Sequence, residues 1–322
     1  MGYSDVICVG AGGIDITASG VDENQVFHNM VNFVDNITVC AGGDAMNEAL
    51  TVAKLGHTVS FMGCIGHDLM GWVLKLNAEK YGVDMSSLRI LQDSSTMTVV
   101  SLVGDNDKRN FLFKKENATE RVDLDCIDWD KVEHARILSF GSLAFNKGFR
   151  PDQLKTLFSR AKEHGVITCA DVALTGAEKE AIRDIAEALP YVDYLFPNAE
   201  EASQISGERE NTRIADFFLH YGVKNVVMKL GGDGCYYKGV EGEMTLPAFR
   251  VKVVNTTGAG DNFLAGFLSG LLQQLPLGER LRFATATAAL TVQVEGASEG
   301  VECMEQVKRF LAEHSLQQEV FR

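Results

Sequence analysis

The alternation of short apolar runs with longer amphipathic stretches is the feature that most restricts the fold of this chain. The runs are rich in β-branched residues, and the stretches between them carry apolar residues at helical spacing. Strands that alternate with helices pair in parallel, because each helix returns the chain to the same end of the sheet. The pattern predicts an α/β fold with a mostly parallel central sheet, helices on both faces, and ligands at the carboxyl ends of the strands. The predicted strands are 6–9, 58–62, 137–140, 166–170, 191–196 and 226–230, and the predicted helices are 43–55, 69–81, 152–164, 177–188, 199–205 and 212–221.

Two regions interrupt this alternation and predict additional β-structure. Residues 16–40 and 96–113 combine short alternating strands with Asp, Asn and Gly turns, without a convincing helical pattern. Neither has enough apolar residues to bury a core of its own. We therefore expect them to pair into a small sheet that acts as a lid, within a single domain formed by residues 1–322. Residues 261–316 complete it as three helices, with a glycine-containing break at 295–300.

The charge balance of the chain is acidic. It has 30 Lys and Arg residues against 44 Asp and Glu residues, a formal net charge of −14. Such a surface repels a polyanion, so nucleic acid is not an expected partner. A small anionic ligand remains compatible, because backbone amides and a bound cation act locally against the overall field.

The seven cysteines are scattered, without a C-x-x-C pair or a Cys/His cluster at zinc spacing. We expect them to be free thiols in a reducing compartment. The sequence has no apolar stretch of about 18 residues or more, and the N-terminus lacks a signal-peptide pattern. The expected location is therefore the cytoplasm, without a membrane partner.

The first glycine-rich stretch, VICVGAGGIDITASG, superficially matches a dinucleotide-binding loop. Gly10 and Gly12 follow a strand, but Asp15 occupies the place of the third glycine, and a β-like segment follows where the phosphate-binding helix should begin. Without that helix there is no pyrophosphate site, which argues against a Rossmann oxidoreductase. Asp15 then either caps a tight turn into the lid or accepts hydrogen bonds from substrate hydroxyls at the carboxyl end of a strand.

In AGGDAMNEA, residues 41–49, two glycines precede a helix. Gly42 and Gly43 let the backbone approach a ligand closely, and Asn47, one turn into the helix, carries an amide that both donates and accepts. These properties suit a polyol. An ordinary helix start, with glycine near the N-cap and an acidic first turn at Asp44, explains the same residues.

The stretch YLFPNAEE, residues 194–201, ends a buried strand and begins a helix. Asn198 is a good N-cap and Glu201 occupies the capping-box position, so a purely structural role is sufficient. In an enzyme that uses a nucleoside triphosphate, the same two side chains can hold Mg²⁺, directly or through water. Further on, VMKLGGDGCY predicts a hairpin, and only its place in the chain suggests that Lys229 to Gly234 border a nucleotide.

The stretch NTTGAGDNF, residues 255–263, begins an apolar helix with a run of small residues. Gly258, Ala259 and Gly260 present their N–H groups at the positive end of the helix dipole, which predicts an anion hole. Asp261 follows on the first turn, where a carboxylate can accept the proton of an attacking hydroxyl during phosphoryl transfer. A capped helix after a Thr-Gly turn is the alternative, although a cap needs one special residue and not a run.

Together, GGDAMN, PNAEE and NTTGAGDNF, in this order and spacing, resemble the PfkB/ribokinase-like carbohydrate kinases over nearly the whole chain. The resemblance implies a ribokinase-like fold, ATP-dependent phosphorylation of a primary hydroxyl of a small sugar (ribose, a ketohexose or a sugar acid), Mg²⁺ as cofactor and a homodimer formed through the lid. By this resemblance the sugar is bound by Asp15, Gly42, Gly43 and Asn47. Mg-ATP is served by Asn198 and Glu201, with Glu201 reaching the metal through water, and the nucleotide is bordered by Lys229, Gly231, Gly234 and Thr256. The transferred phosphate is stabilised by Gly258, Ala259 and Gly260, and the catalytic base is Asp261.

The chain departs from this family at the position of a potassium site. Asn255 stands where these kinases usually have Asp, and Gly300 replaces a common Ser, which removes a hydroxyl ligand. The other positions of a monovalent cation site would fall on Thr257 and on the carbonyl groups of Thr291 and Gly296. These departures disfavour activation by K⁺, which stays only a candidate cofactor.

A second departure concerns anionic substrates. Thr175 stands where many members have an Arg, and Lys114 and Lys115 occupy the place of a common lid Arg. Bidentate phosphate recognition is a property of Arg, so a phosphorylated sugar is disfavoured, although the lysines leave it open. A nucleoside kinase of the same fold and a sugar-binding regulator that has lost phosphoryl transfer are the alternatives.

Overall fold

The computed structural model describes residues 2–104, 109–143, 147–173, 181–314 and 320–321. The strands, in chain order, are β1 (Val6–Val9), β2 (Gly13–Val21), β3 (Asn36–Gly42), β4 (Val59–Met62), β5 (Cys64–Gly66), β6 (Val83–Asp84), β7 (Arg89–Leu91), β8 (Met97–Gly104), β9 (Arg109–Phe113), β10 (Ile137–Phe140), β11 (Ile167–Asp171), β12 (Tyr194–Phe196), β13 (Asn225–Lys229), β14 (Cys235–Gly239), β15 (Gly242–Leu246) and β16 (Val320–Phe321). The α-helices are α1 (Asp44–Lys54), α2 (Leu69–Lys80), α3 (Trp129–His134), α4 (Pro151–Glu163), α5 (Ala181–Ile185), α6 (Ala199–Ser206), α7 (Asn211–His220), α8 (Ala259–Leu272), α9 (Leu277–Thr291) and α10 (Met304–Glu313). Thr175, part of the predicted helix 177–188 and residues 105–108 of the second lid segment lie outside the described residues.

The central sheet has the order β16-β15-β14-β13-β12-β11-β10-β1-β4-β6. The pairs from β13 through β12, β11, β10, β1 and β4 to β6 are parallel, and β13 to β16 form an antiparallel edge. Successive residues of β1 enter two different hydrophobic cores: Ile7 and Val9 pack with α4 and α7 on one face, and Val6 and Cys8 with α1 and α8 on the other. A strand buried on both faces requires a continuous apolar run, which is why these strands could be predicted from sequence.

The lid segments form a separate four-stranded sheet with the order β3-β2-β8-β9. Strand β2 pairs antiparallel with β3 and parallel with β8, and β8 pairs antiparallel with β9. The predicted fold class, a mostly parallel sheet with helices on both faces and a small additional sheet, is confirmed. The lid function of the small sheet and the single-domain organisation stay predictions.

The structure also contains elements that the sequence pattern did not predict. Strands β5, β6 and β7 have two or three residues each, too few to show a period of two. The three C-terminal helices α8, α9 and α10 are present as predicted, with a non-helical segment between α9 and α10. Among the described helices, none combines the length and apolar content needed to cross a bilayer.

Candidate active site

A cavity of about 360 Å³ lies between the small sheet and the carboxyl ends of the central strands. Parallel strands end at one edge of a sheet, so residues distant in sequence meet there. Of the predicted site residues, the cavity brings together Asp15, Gly43, Asn47, Asn255, Thr257, Gly258, Asp261 and Gly296. The remaining wall consists of Ala11, Thr17, Cys40, Asp44, Met97, Val99, Ser101, Phe111, Phe113, Ser142, Ala173 and Ala297.

Asp261 lies on the first turn of α8 and faces the cavity. The Asn47 Nδ2 group, on the first turns of α1, donates a hydrogen bond of 2.8 Å to Asp261 Oδ2. Burial raises the pKa of Asp261 to about 6, while the hydrogen bond from Asn47 and the charge of Lys229 oppose this rise. The carboxylate is therefore mostly ionised at neutral pH and can still accept a proton.

The start of α8 is built around Gly258, which adopts a left-handed conformation with φ of 75°. A Cβ at this position would overlap the carbonyl oxygen of Ala297, so the close approach of the two loops requires glycine. The Ala259 N–H donates to the Thr256 carbonyl at 3.2 Å, so one of the three predicted anion-hole amides is engaged in a turn. The N–H groups of Gly260 and Asp261 belong to the first helical turn, which has no intrahelical acceptors for them.

Lys229 at the end of β13 forms an ion pair with Asp171 at the end of β11. The Lys229 Nζ atom lies 2.6 Å from both carboxylate oxygens, and both side chains are largely buried. A Cβ on Gly260 would lie 3.2 Å from this Nζ, so the ammonium group sits against the start of α8. Burial alone would lower the pKa of Lys229, but the charges of Asp171, Glu201 and Asp261 raise it above its ordinary value. The ammonium group is thus a permanent cation beside the predicted anion hole.

Asn198 and Glu201 form the predicted capping box at the start of α6. The Asn198 Oδ1 atom accepts from the Glu201 N–H at 2.9 Å, and Glu201 Oε2 accepts from the Asn198 N–H at 3.1 Å. Backbone pairing between Asn198 and Lys229 brings the box next to the ion pair. Both residues thus have a structural role, and a second role toward a metal stays a prediction.

Gly231 and Gly234 lie in the turn of the predicted hairpin between β13 and β14. The Gly234 N–H donates to the Gly231 carbonyl at 3.1 Å, which closes the turn. Thr256 is exposed just before α8. Neither glycine, nor Thr256, lines the cavity, so their part in nucleotide binding also stays a prediction.

On the opposite wall, Asp15 lies inside β2 of the small sheet. We predicted it at the carboxyl end of a central strand, and this was wrong, because the chain leaves β1 at Val9 and enters the small sheet at Gly13. A Cβ on Gly42 would lie 2.5 Å from the Asp15 carboxyl group, so Gly42 contacts this side chain, although Gly42 itself does not line the cavity. Burial, followed by the charges of Asp261 and Glu299, raises the pKa of Asp15 to about 7.

Asn47 has a free acceptor in addition to its bond to Asp261. Its Oδ1 atom is buried and has no hydrogen-bond partner among the described residues. Gly43 caps the helix that carries Asn47, and Asp44 follows on the first turn and lines the cavity. Burial and the charges of Asp261 and Asp171 raise the pKa of Asp44 well above its ordinary range. Unsatisfied buried acceptors are rare, so a ligand hydroxyl is the expected partner of Asn47.

Ser142 is a cavity residue that sequence reasoning missed. It follows β10 in a left-handed conformation with φ of 61°, and its buried Oγ atom has no partner among the described residues. Such strain in a non-glycine residue is typical of binding sites. A serine after a strand is too common in sequences to be recognised as a site.

The register of the small sheet determines which of its residues face the cavity. One cross-strand row consists of Cys40, Asp15, Val99 and Phe113. The row two residues further along β2 contains Thr17, Ser101 and Phe111, and all seven of these residues line the cavity. The small sheet therefore contributes one carboxylate, small polar groups and an apolar wall to the cavity. The aromatic part of this wall was not predicted, because alternation does not reveal which face of a sheet is covered.

The candidate cation positions are divided between the cavity and the core. Asn255, Thr257 and Gly296 line the cavity. Thr291 is buried as the last residue of α9, and its Oγ1 donates to the Thr287 carbonyl at 2.9 Å. The Thr291 carbonyl, which is the predicted ligand, is not tested by this side-chain bond, so the cation role of the set stays a prediction.

Comparison with known proteins identifies the architecture around this cavity. Residues 4–303 match the model of pfkB family carbohydrate kinases. The chain is 30% identical over 280 residues to a ribokinase of Schizosaccharomyces pombe, which covers 83% of this chain and 85% of the relative. It is 30% identical over 291 residues to an aminoimidazole riboside kinase of Salmonella typhimurium, covering 87% of this chain and 90% of the relative. The structure of a putative ribokinase II from E. coli in complex with ATP and Mg²⁺ superimposes with a TM-score of 0.84 at 22% identity, over 97% of this chain and 100% of that one.

Proposed function

The chain belongs to the pfkB family of carbohydrate kinases, and we propose that it transfers the γ-phosphoryl group of ATP to a primary hydroxyl of a neutral sugar, with Asp261 as the base. One observation carries the proposal. The Asn47 amide donates to the Asp261 carboxylate, and its own buried oxygen is left as an acceptor beside the same cavity. A hydroxyl bound near Asn47 would therefore lie close to the group that removes its proton.

The chain's own groups supply the remaining chemistry. Asp261 accepts the hydroxyl proton as the phosphoryl group is transferred. In this proposal the N–H groups at the start of α8 and the Lys229 ammonium beside them act on the negative charge that develops on the transferred group. Fixed dipoles and charges of this kind stabilise a transition state without reorganisation. The small sheet covers the cavity from the opposite side, and closing it further would exclude water.

ATP and Mg²⁺ fit the neighbouring carboxyl ends of β12 and β13. Within the described residues, no three Asp, Glu, His or Cys side chains converge as metal ligands. This suits Mg²⁺, which is commonly held by one or two carboxylates together with substrate phosphates and water. The Glu201 charge raises the pKa values of Lys229 and Asp44, so this carboxylate acts on the same region and is the proposed ligand, with Asn198 beside it. Bound Mg²⁺ would neutralise charge on the phosphates during transfer.

The charge of the cavity favours a neutral substrate. Its described lining includes Asp15, Asp44 and Asp261 and contains no Lys, Arg or His. Lys114, from the lid segment that follows β9, donates to Ser95 Oγ at 2.6 Å and does not line the cavity. A sugar acid or a phosphorylated sugar would bring a negative charge that no described side chain of the lining can neutralise and that ionised Asp261 would repel, so ribose or a ketohexose is the preferred class.

A nucleoside is the second candidate substrate, and the lid wall favours it. Phe111 and Phe113 lie with ring centroids 6.4 Å apart, and Met97 and Val99 extend the same surface. Apolar and aromatic side chains are suited to cover a base, whereas a free sugar offers little surface to them. The family accommodates both classes, since its relatives include a ribokinase and a riboside kinase.

A substrate panel tests the proposal. ADP release is measured with ATP and Mg²⁺ against ribose, fructose, a six-carbon sugar acid and adenosine, with Asp261→Asn as the control. We expect a neutral sugar or the nucleoside to be phosphorylated, and Asp261→Asn to reduce kcat by roughly 10²-fold or more. Absence of ADP with every compound would contradict the kinase mechanism, and a higher kcat/KM for the sugar acid would contradict the neutral-substrate assignment.

We further propose a homodimer formed through the outer face of the small sheet. The rows that alternate with the cavity-facing rows include three apolar residues that are exposed: Ile37 is 63% exposed, Val39 57% and Leu112 49%. The small sheet thus has one face toward the cavity and an opposite face with exposed apolar residues. Such an exposed apolar face is typical of a sheet that packs against a second subunit. Because every chain carries the same face, a second copy is the proposed partner.

A further inference from the structure

The monovalent cation site that the family implies does not fit this chain. Asn255 Oδ1 accepts from the Thr257 N–H at 3.0 Å, and Asn255 Nδ2 faces Glu295 Oε2 at 3.4 Å. A donor group and not a carboxylate is thus turned toward the neighbouring negative charge. A Cβ on Gly300 would lie 2.6 Å from Thr291 Cα and would overlap the Leu290 carbonyl oxygen, so a serine hydroxyl cannot be placed at 300 without moving the backbone.

A side-chain cation already contacts the 296–300 loop, which carries the Gly296 and Gly300 positions of this site. Lys54 is the last residue of α1, and its Nζ donates to the Ser298 carbonyl at 2.7 Å. The ammonium lies 4.6 Å from the centre of the Tyr81 ring. Burial lowers the pKa of Lys54 below its ordinary value, and the charges of Glu299 and Glu302 oppose this fall. The end of a helix also attracts a cation through its dipole. Carbonyl oxygen, carboxylate charge and an aromatic face are the surroundings that stabilise an ammonium ion.

The loop held by Lys54 is part of the active site. The Ala297 carbonyl oxygen contacts Gly258, and Asn262 Nδ2 donates to both the Ala297 and the Gly258 carbonyl groups at 2.6 Å. Thr51, one turn before Lys54 on α1, donates to Asn262 Oδ1. Gly258 is also where the predicted anion hole begins. Movement of the loop would therefore displace the amides at the start of α8.

We propose that the Lys54 ammonium holds the 296–300 loop against the start of α8 in the place of a bound monovalent cation, so that this kinase does not require K⁺. Lys54 is then a positioning residue: it acts through Ser298, Ala297 and Gly258 and does not touch the substrate. This inference rests on the proposed function only for its activity readout. The physical reason is that three N–H donors on a tethered cation can order carbonyl groups as a metal ion does, without an entropic cost of capture from solution.

The test compares three forms of the full chain: the natural protein, Lys54→Ala, and Lys80→Ala as the matched control. Lys80 lies over the same Tyr81 ring, at 5.4 Å, but is exposed on α2. The kcat and melting temperature of each are measured in choline chloride, KCl and NH₄Cl at equal ionic strength. We expect the natural protein and Lys80→Ala to respond equally to all three salts. We expect Lys54→Ala to lose about tenfold or more in kcat in choline chloride and to regain at least part of it in NH₄Cl or KCl, because a free cation can enter the vacated position.

Three results would overturn the proposal. The first is a kcat of the natural protein that is about fivefold or more higher in KCl than in choline chloride. The second is a kcat of Lys54→Ala equal to that of the natural protein. The third is a loss of kcat in Lys54→Ala that neither cation reverses, which would indicate a purely structural role. If no sugar is phosphorylated in any salt, the proposed function fails, but the melting temperatures still decide this point. A melting temperature that K⁺ raises in Lys54→Ala but not in the natural protein supports the role of Lys54. A melting temperature that K⁺ raises specifically in the natural protein contradicts that role.

Discussion

Replacing Asn47 by Leu should shift the pH at which the kinase loses activity in acid. The hydrogen bond from Asn47 Nδ2 to Asp261 Oδ2 is 2.8 Å long and stabilises the ionised form of the base. A hydrogen bond to a charged group contributes about 1.5–3 kcal/mol, and about 1.4 kcal/mol corresponds to one pH unit. Starting from the pKa of Asp261 of about 6, we expect the acid limb of kcat/KM to move up by about 1 to 2 pH units.

The assay is the pH dependence of kcat/KM, which reports the ionisation of the free enzyme and therefore corresponds to the substrate-free site. Asn47→Leu will also weaken sugar binding, so the midpoint of the limb, and not the size of kcat/KM, is the diagnostic quantity. Asp171→Asn is the control with opposite sign, because the Asp171 charge raises the pKa of Asp261 and its removal should lower the midpoint. The folded fraction of both variants is checked by circular dichroism, since breaking a buried ion pair costs about 3–5 kcal/mol.

An unchanged or lowered midpoint in Asn47→Leu would refute the assignment of Asp261 as the titrating base. The same conclusion would follow if Asp171→Asn and Asn47→Leu moved the midpoint in the same direction, because then the limb would belong to another group.

Three further predictions follow from the cavity and the lid. Burial raises the pKa of Asp15 to about 7, so the neutral carboxyl group stabilises the fold at low pH and this contribution is lost as the pH rises through 7. Asp15→Asn should therefore raise the melting temperature in calorimetry by a few °C at pH 8 and hardly at all at pH 4. The same substitution should weaken sugar binding, which a higher KM would show. Ser142→Gly should stabilise the protein by about 1 kcal/mol in urea unfolding, because glycine adopts a positive φ without strain, and raise the sugar KM through loss of the hydroxyl; a destabilised variant would contradict the strain argument. Ile37→Glu should convert the dimer into a monomer in sedimentation velocity, whereas Leu76→Glu, on an α2 side chain that is 66% exposed, should leave the oligomeric state unchanged; a natural protein that is already monomeric would refute the proposed interface.

The parts of the site that could be predicted from sequence are those that depend on local backbone structure, such as the starts of helices. A run of small residues at the start of an apolar helix, as at 258–260, has a local consequence, since it places backbone amides at the positive end of a helix dipole. A strand end followed by an N-cap, as at Asn198, is equally local, and the structure shows both helix starts where the sequence predicted them. Asp171 and Ser142 were not predicted, because their importance comes from contacts with Lys229 and with the cavity, and a residue pair separated by 58 positions has no local pattern.

By itself, the sequence determined the alternating α/β fold, the small additional sheet and the helix start that carries Asp261, because periodicity and glycine placement act through neighbouring residues. Only the tertiary structure decided which side chains share the cavity. In the folded chain Asn47 donates to Asp261 across 214 positions of sequence, and Lys229 pairs with Asp171. Asp15 lies in the small sheet, and Lys54 contacts the loop beside Gly258. The reason is that these contacts depend on strand register and on the meeting of strand ends at one edge of the sheet, which arise only when the whole chain has packed.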